Sequence, residues 1–144
     1  MLRLSKMADY GSQVMAYMAR ENAVHSANEV ACATGIAVPT VSKILKMLAR
    51  GNLLSSVRGA KGGYVISRPP EAISIAQIID AMDGPISITE CSTSTCLQES
   101  VCSTRSNWQG INTLIRDALE KVTLAQMMEP KPQVVNLATG GIYV

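Results

Sequence analysis

A chain of 144 residues has the size of one ordinary domain with a self-association element attached, and this excludes a multi-domain enzyme. Its 47% hydrophobic and 17% charged residues exclude a disordered chain, and with 3% aromatics, no Phe and eight Met the core is to be aliphatic and mainly helical. The net charge of +2 conceals opposite halves: residues 1–70 hold nine Lys/Arg against three Asp/Glu, residues 71–144 four against eight, so only the first half suits a polyanion.

From Ser5 to Arg20 the apolar residues Tyr10, Val14, Tyr17 and Met18 recur at helical spacing. His25 then reads as an exposed turn residue. Ser26-Ala-Asn-Glu29 forms a capping box, and the short second helix behind it ends at Gly35. Cys32 within that helix reads as a small buried residue. Pro39 opens a third helix whose apolar face is Val41, Ile44, Leu45 and Leu48, with Gly51 as its stop. Lys43, Lys46 and Arg50 form a basic stripe on the opposite side, with Thr40 and Ser42 near the N-terminus.

Leu53 to Val57 and Tyr64 to Ile66 read as strands of a hairpin whose tip, Arg58-Gly-Ala-Lys-Gly-Gly63, is basic and glycine-rich. Ser74 to Met82 gives a further helix through Ile75, Ile78, Ile79 and Met82, broken by Gly84-Pro85. No period is visible from there to Asn107. Trp108 to Val122 is a long amphipathic helix in search of a partner. Residues 130–144 carry neither caps nor a sustained period and are expected to be a flexible tail.

Three short helices followed by a basic hairpin describe a winged helix: mainly α with a small β-wing, followed by a long C-terminal helix. Residues 1–70 are expected to form the DNA-binding domain and residues 71–129 the cysteine loop and the helices around it, which the resemblance drawn below assigns to dimerisation. Double-stranded operator DNA is the expected partner. Lys43, Lys46, Arg50 and Lys61 are placed to meet phosphates, Thr40, Ser42 or Lys43 to read base edges, and Arg58 to enter a minor groove.

Cys91, Cys96 and Cys102 follow the pattern C-x4-C-x5-C within the irregular segment. Thiolates so close together suit an iron–sulfur cluster or zinc, and the surrounding Ser and Thr residues leave backbone N–H groups free for sulfur. A redox-active dithiol is the other chemistry open to them. Three cysteines leave one ligand position, for which Asp9, Glu90, Glu99, His25 and Cys32 are the internal choices.

No run approaches the roughly 18 apolar residues of a membrane helix, and MLRLSK leads into no signal-peptide block, so a cytoplasmic protein with no membrane partner is expected. Catalysis and a small-molecule substrate are not expected, because the sole His25 has no nucleophile partner by motif and no phosphate loop occurs.

LRLSKMADYG at the start, SSVRGAKGGYVISRP in the hairpin and the three-cysteine loop before a long helix together resemble the IscR-, NsrR- and SufR-like winged-helix regulators, the Rrf2 family, over roughly residues 2–129. The resemblance implies a homodimeric transcription factor, a repressor, whose long helix crosses its twin and whose cysteines hold a 2Fe-2S or 4Fe-4S cluster. The first cysteine spacing is one residue shorter than the common one. Arg105 stands where IscR-like members place a His ligand. NsrR-like members use an acidic residue of the first helix from the other subunit, and Asp9 occupies the matching position. The opening and hairpin motifs look most like the proteobacterial regulators of suf-type iron–sulfur assembly genes. Nitric-oxide or redox sensing through the cluster, and a zinc- or thiol-based regulator, are the alternatives.

Overall fold

Side-chain caps set where four of the six α-helices among the described residues begin. The structure, a computed structural model, describes residues 2–92 and 96–130; the expected tail from 131 on and residues 93–95 of the cysteine loop lie outside them. Helix α1 (Lys6–Arg20) starts where the Ser5 hydroxyl accepts the Ala8 N–H at 3.0 Å, and it buries Ala8, Val14, Met15 and Met18. Helix α2 (Ala27–Thr34) starts at the expected capping box: the Ser26 N–H donates to Glu29 at 2.6 Å and the Glu29 N–H to Ser26 Oγ at 3.3 Å. It stops at Gly35, whose φ of 73° is left-handed and favours a residue without Cβ.

The capping bonds, the Ser26 N–H first, hold the Glu29 carboxyl below its ordinary value. A depressed carboxyl stabilises the fold above its unfolded pKa and ceases to do so as pH falls through the folded value. Replacing Glu29 with Gln is therefore expected to lower stability at neutral pH and to flatten its loss on acidification, as read by thermal melts across pH.

The chain turns through 115° between α2 and α3 (Val38–Arg50), within the range of helix-turn-helix units. Val41, Ile44, Leu45 and Leu48 are buried as expected. Gly51 caps the C-terminus as expected but keeps a φ of −79°, and Asn52 after it takes the left-handed turn at 58°. Gly51 instead gives room, since a Cβ there would lie 2.9 Å from that of Ala81.

Strands β1 (Leu54–Val57) and β2 (Gly63–Ile66) pair antiparallel, Leu54 opposite Ile66 and Val57 opposite Gly63. Helix α4 (Ile75–Asp83) begins at a Ser74–Gln77 capping box and packs on α1 and α3. Helix α5 (Arg105–Lys121) starts three residues before the expected Trp108, and a short α6 (Leu124–Met128), not anticipated, starts at a third capping box of Thr123 and Gln126. Short 3-10 turns occupy 70–72 and 90–92. Across the chain, Leu124 donates its N–H to Ile73 and Ile75 its N–H to Val122, at 2.8 and 2.9 Å.

One apolar core gathers Val14, Met15 and Met18 of α1 with Ile44 and Leu45 of α3, Ile78 of α4 and Leu124 of α6. The result is a mainly helical winged-helix fold with a two-stranded sheet. Among the described residues no single helix is long and apolar enough to cross a membrane.

Candidate nucleic-acid interface and cysteine loop

Because α3 buries one face completely, the residues a half-turn away have no choice but solvent. Lys43, Lys46 and Arg50 are exposed, with Thr40 and Ser42 half-buried at the first turn. No side chain caps the N-terminus of α3, so its first-turn N–H groups are open to an acceptor. A row of cations ending in free donors is matched to a phosphate backbone.

The hairpin sets Arg58 and Lys61 in solvent, turned by Gly59 at a φ of 116° and closed by a bond of 3.0 Å from the Gly62 N–H to Gly59 O. Its base has a third partner that periodicity does not reveal. The His25 N–H donates to Tyr64 O and the Tyr64 N–H to His25 O, both at 2.9 Å, in an isolated antiparallel bridge. Only glycine permits this at position 63, because a Cβ there would lie 2.2 Å from the His25 carbonyl oxygen. The hairpin is thereby fixed to the link between α1 and α2. His25, expected in solvent, is 8% exposed, with its ring 5.1 Å from that of Tyr17. The long-range bridge overrides the local turn signal.

Cys32 differs in the other direction: it is exposed, because Val30 and Ala31 take the buried face of the two-turn α2. It lies in the first half of the chain, away from the other thiols in sequence.

Cys91, Cys96 and Cys102 are free and half-buried, on a segment held by α4 and α5. The Ile86 N–H donates to Asp80 at 3.2 Å, the Ile88 N–H to Asn112 at 2.8 Å, and Gln109 to Cys91 O at 3.4 Å. Arg105 pairs with Glu99, and Cys102 Sγ meets Thr104 Oγ1 at 3.4 Å. The Thr104 hydroxyl, then its N–H, and more weakly Arg105 hold the Cys102 thiol below its ordinary pKa. Gln109, Asn112 and Arg116 thus form a polar row on α5 at positions i, i+3 and i+7, a spacing present in the sequence beside the apolar one.

The three cysteines share a segment without forming a cage: among the described residues no three His, Cys, Asp or Glu side chains are gathered tightly enough to hold a metal ion. Their donor chemistry, three thiols free of disulfide bonds, fits an iron–sulfur cluster. Asp9 is exposed on the first turn of α1, and Arg105 is bound to Glu99. Glu90 is also exposed.

The apolar face of α5 is left open, with Trp108, Ile111 and Leu114 at 38%, 39% and 46% exposure. Beside it a groove of about 540 Å³ runs between Leu2, Leu4, Ile79, Ile88 and Ile115.

A family model described as "Rrf2: Iron-dependent Transcriptional regulator" matches residues 4–130. An HTH-type transcriptional regulator of Neisseria meningitidis serogroup A is 35% identical over 97 residues, 67% of this chain and 66% of its own length, so the match spans just under two thirds of that relative. One from Azotobacter vinelandii is 29% identical over 88% of this chain and 79% of its own. Among solved structures, CymR, the global cysteine regulator of B. subtilis, is 28% identical with a TM-score of 0.71, covering 89% of this chain and 97% of that one. IscR of T. potens is 28% identical with a TM-score of 0.67, covering 88% and 86%.

Proposed function

The chain belongs to the Rrf2 family of transcriptional regulators, and from that premise we propose that it binds operator DNA as a homodimer and represses genes of suf-type iron–sulfur assembly according to cluster status. Residues 1–70 are the DNA-binding unit: Lys43, Lys46, Arg50 and Lys61 meet phosphates, Thr40, Ser42 and Lys43 reach base edges, and Arg58 enters a minor groove. Residues 71–129 sense and pair, and the open apolar stripe of α5 meets its counterpart in the second subunit. The protein acts by binding, without catalysis.

Cys91, Cys96 and Cys102 hold the cluster, with Asp9 of the second subunit as fourth ligand. Bound there, a cluster supplies a redox- and supply-sensitive centre. The observation that carries this reading is the placing of three free thiols on the one segment that α4 and α5 hold against the winged helix. The loaded and stripped forms must differ in operator affinity for any such control to exist.

Iron and sulfide analysis with an anaerobic absorption spectrum, followed by operator titration of each form, tests it. Cys96→Ala is expected to lose iron and colour while keeping general affinity for DNA, and Arg58→Ala to weaken DNA binding while keeping iron. A colourless wild type, or equal affinities of the loaded and stripped forms, overturns the cluster reading. The depressed Cys102 thiol and the likeness to CymR support a second reading, a thiol-based regulator without iron. It predicts that oxidation of the metal-free chain alone changes operator affinity.

A further inference from the structure

Asn112 is 5% exposed, in the middle of α5, and its amide engages the segment that leads to the cysteines. Its Oδ1 accepts the Ile88 N–H at 2.8 Å and its Nδ2 donates to Thr89 Oγ1 at 3.0 Å. A buried amide is costly unless it is paired on both sides, so these two bonds pin residues 88–89 to one place on the helix. About one turn further on, Arg116 binds Asp80 of α4 through two bonds of 3.3 and 2.9 Å. The Oδ1 of Asp80 also takes the Ile86 N–H.

The two grips are therefore joined: a short stretch of backbone, 86–89, is held by α5 at one end and by α4 at the other, and α4 is held by α5. Beyond α4 the path is packed side chain. Ile78 and Ile79 are buried in the core with residues of α1 and α3, and Gly51 at the end of α3 lies against Ala81. Packed elements of this kind move between discrete arrangements and do not deform continuously.

We propose that Asn112 and the Asp80–Arg116 pair form a two-point latch that conveys the position of the cysteine segment to α4, and through it to the recognition helix α3. The latch rests on the reading of that segment as the sensing element. Asn112 is a positioning residue that acts through the backbone of Ile88 and the hydroxyl of Thr89. Any change that gathers the three thiols draws on this backbone, and Asn112 either keeps its bonds, moving α5 against α4, or releases both.

Two measurements on the full chain separate the latch from the reading it rests on. The first is amide exchange on the metal-free protein, with Asn112→Ala and, as a near-isosteric change at a half-buried site, Thr89→Val. Both variants are expected to raise exchange at Ile88 and also across α4, by on the order of fivefold for Asn112→Ala. Faster exchange confined to residues 86–89 overturns the latch, whether or not the protein binds iron.

The second is the ratio of operator affinities between the iron-loaded and stripped forms. Wild type is expected to show a ratio well away from one, and both variants a ratio near one at unchanged iron content and unchanged affinity of the stripped form. A wild-type ratio of one defeats the sensing reading alone. A variant that retains the wild-type ratio defeats the latch alone.

Discussion

Gly63→Ala is expected to unseat the wing, lowering stability by about 2–4 kcal/mol and operator affinity by about tenfold or more. The new Cβ would stand 2.2 Å from the His25 oxygen and 2.7 Å from its carbonyl carbon. Both are backbone atoms, so no rotamer change relieves the overlap. The two bonds between His25 and Tyr64 must lengthen or break, and the hairpin loses its backbone bridge to the α1–α2 link. Thermal melts give the stability, and amide exchange at His25 and Tyr64 gives the cause. A variant with the wild-type melting temperature and protected amides at both positions would remove the bridge from the account of wing placement.

Replacing Lys43, Lys46 and Arg50 together with Ala is expected to cost more in binding and almost nothing in folding. All three are exposed and make no ion pair among the described residues, so the change in stability should stay within about 0.5 kcal/mol. In the proposed dimer six cations leave the interface. If each neutralises one phosphate, the slope of log affinity against log salt becomes shallower by about 5, and affinity near physiological salt falls by on the order of a thousandfold. Titrations of operator DNA at several salt concentrations read both quantities. An unchanged slope would place the phosphate contacts elsewhere on the molecule.

What the sequence disclosed depended on whether the cause was local. The α2 cap needs only Ser26 and Glu29, and the buried face of α3 needs only its own period; both stand in the structure as read. The same three-residue spacing of Ser74 with Gln77 and of Thr123 with Gln126 marks the starts of α4 and α6, so the start of α6 is legible although its five residues carry too little period to show a helix. His25 and Gly63 were not legible in this way. The bridge of His25 to Tyr64, which Gly63 makes room for, joins residues far apart in sequence, and a turn-like local composition gives no hint of a backbone partner. Cys32 shows the converse, since residue type favours burial while the helix phase turns it outward. In the cysteine segment the sequence supplies the three thiols, whereas the grip of Asn112, Gln109 and Arg116 becomes apparent only when polar residues on an apolar helix are treated as a pattern of their own.

The position of Leu124 bears on how the protein is made. It is fully buried, in a core whose other buried apolar residues lie between positions 8 and 82 and leave the ribosome much earlier, and its backbone is bonded to Ile73 across the chain. The helices and hairpin of the first half are thus synthesised long before their hydrophobic seat is closed. Closure waits for a contact of high sequence separation, the slow kind in folding. A nascent chain therefore completes its fold only after the three cysteines have already been translated, which orders competence for DNA after the appearance of the thiols.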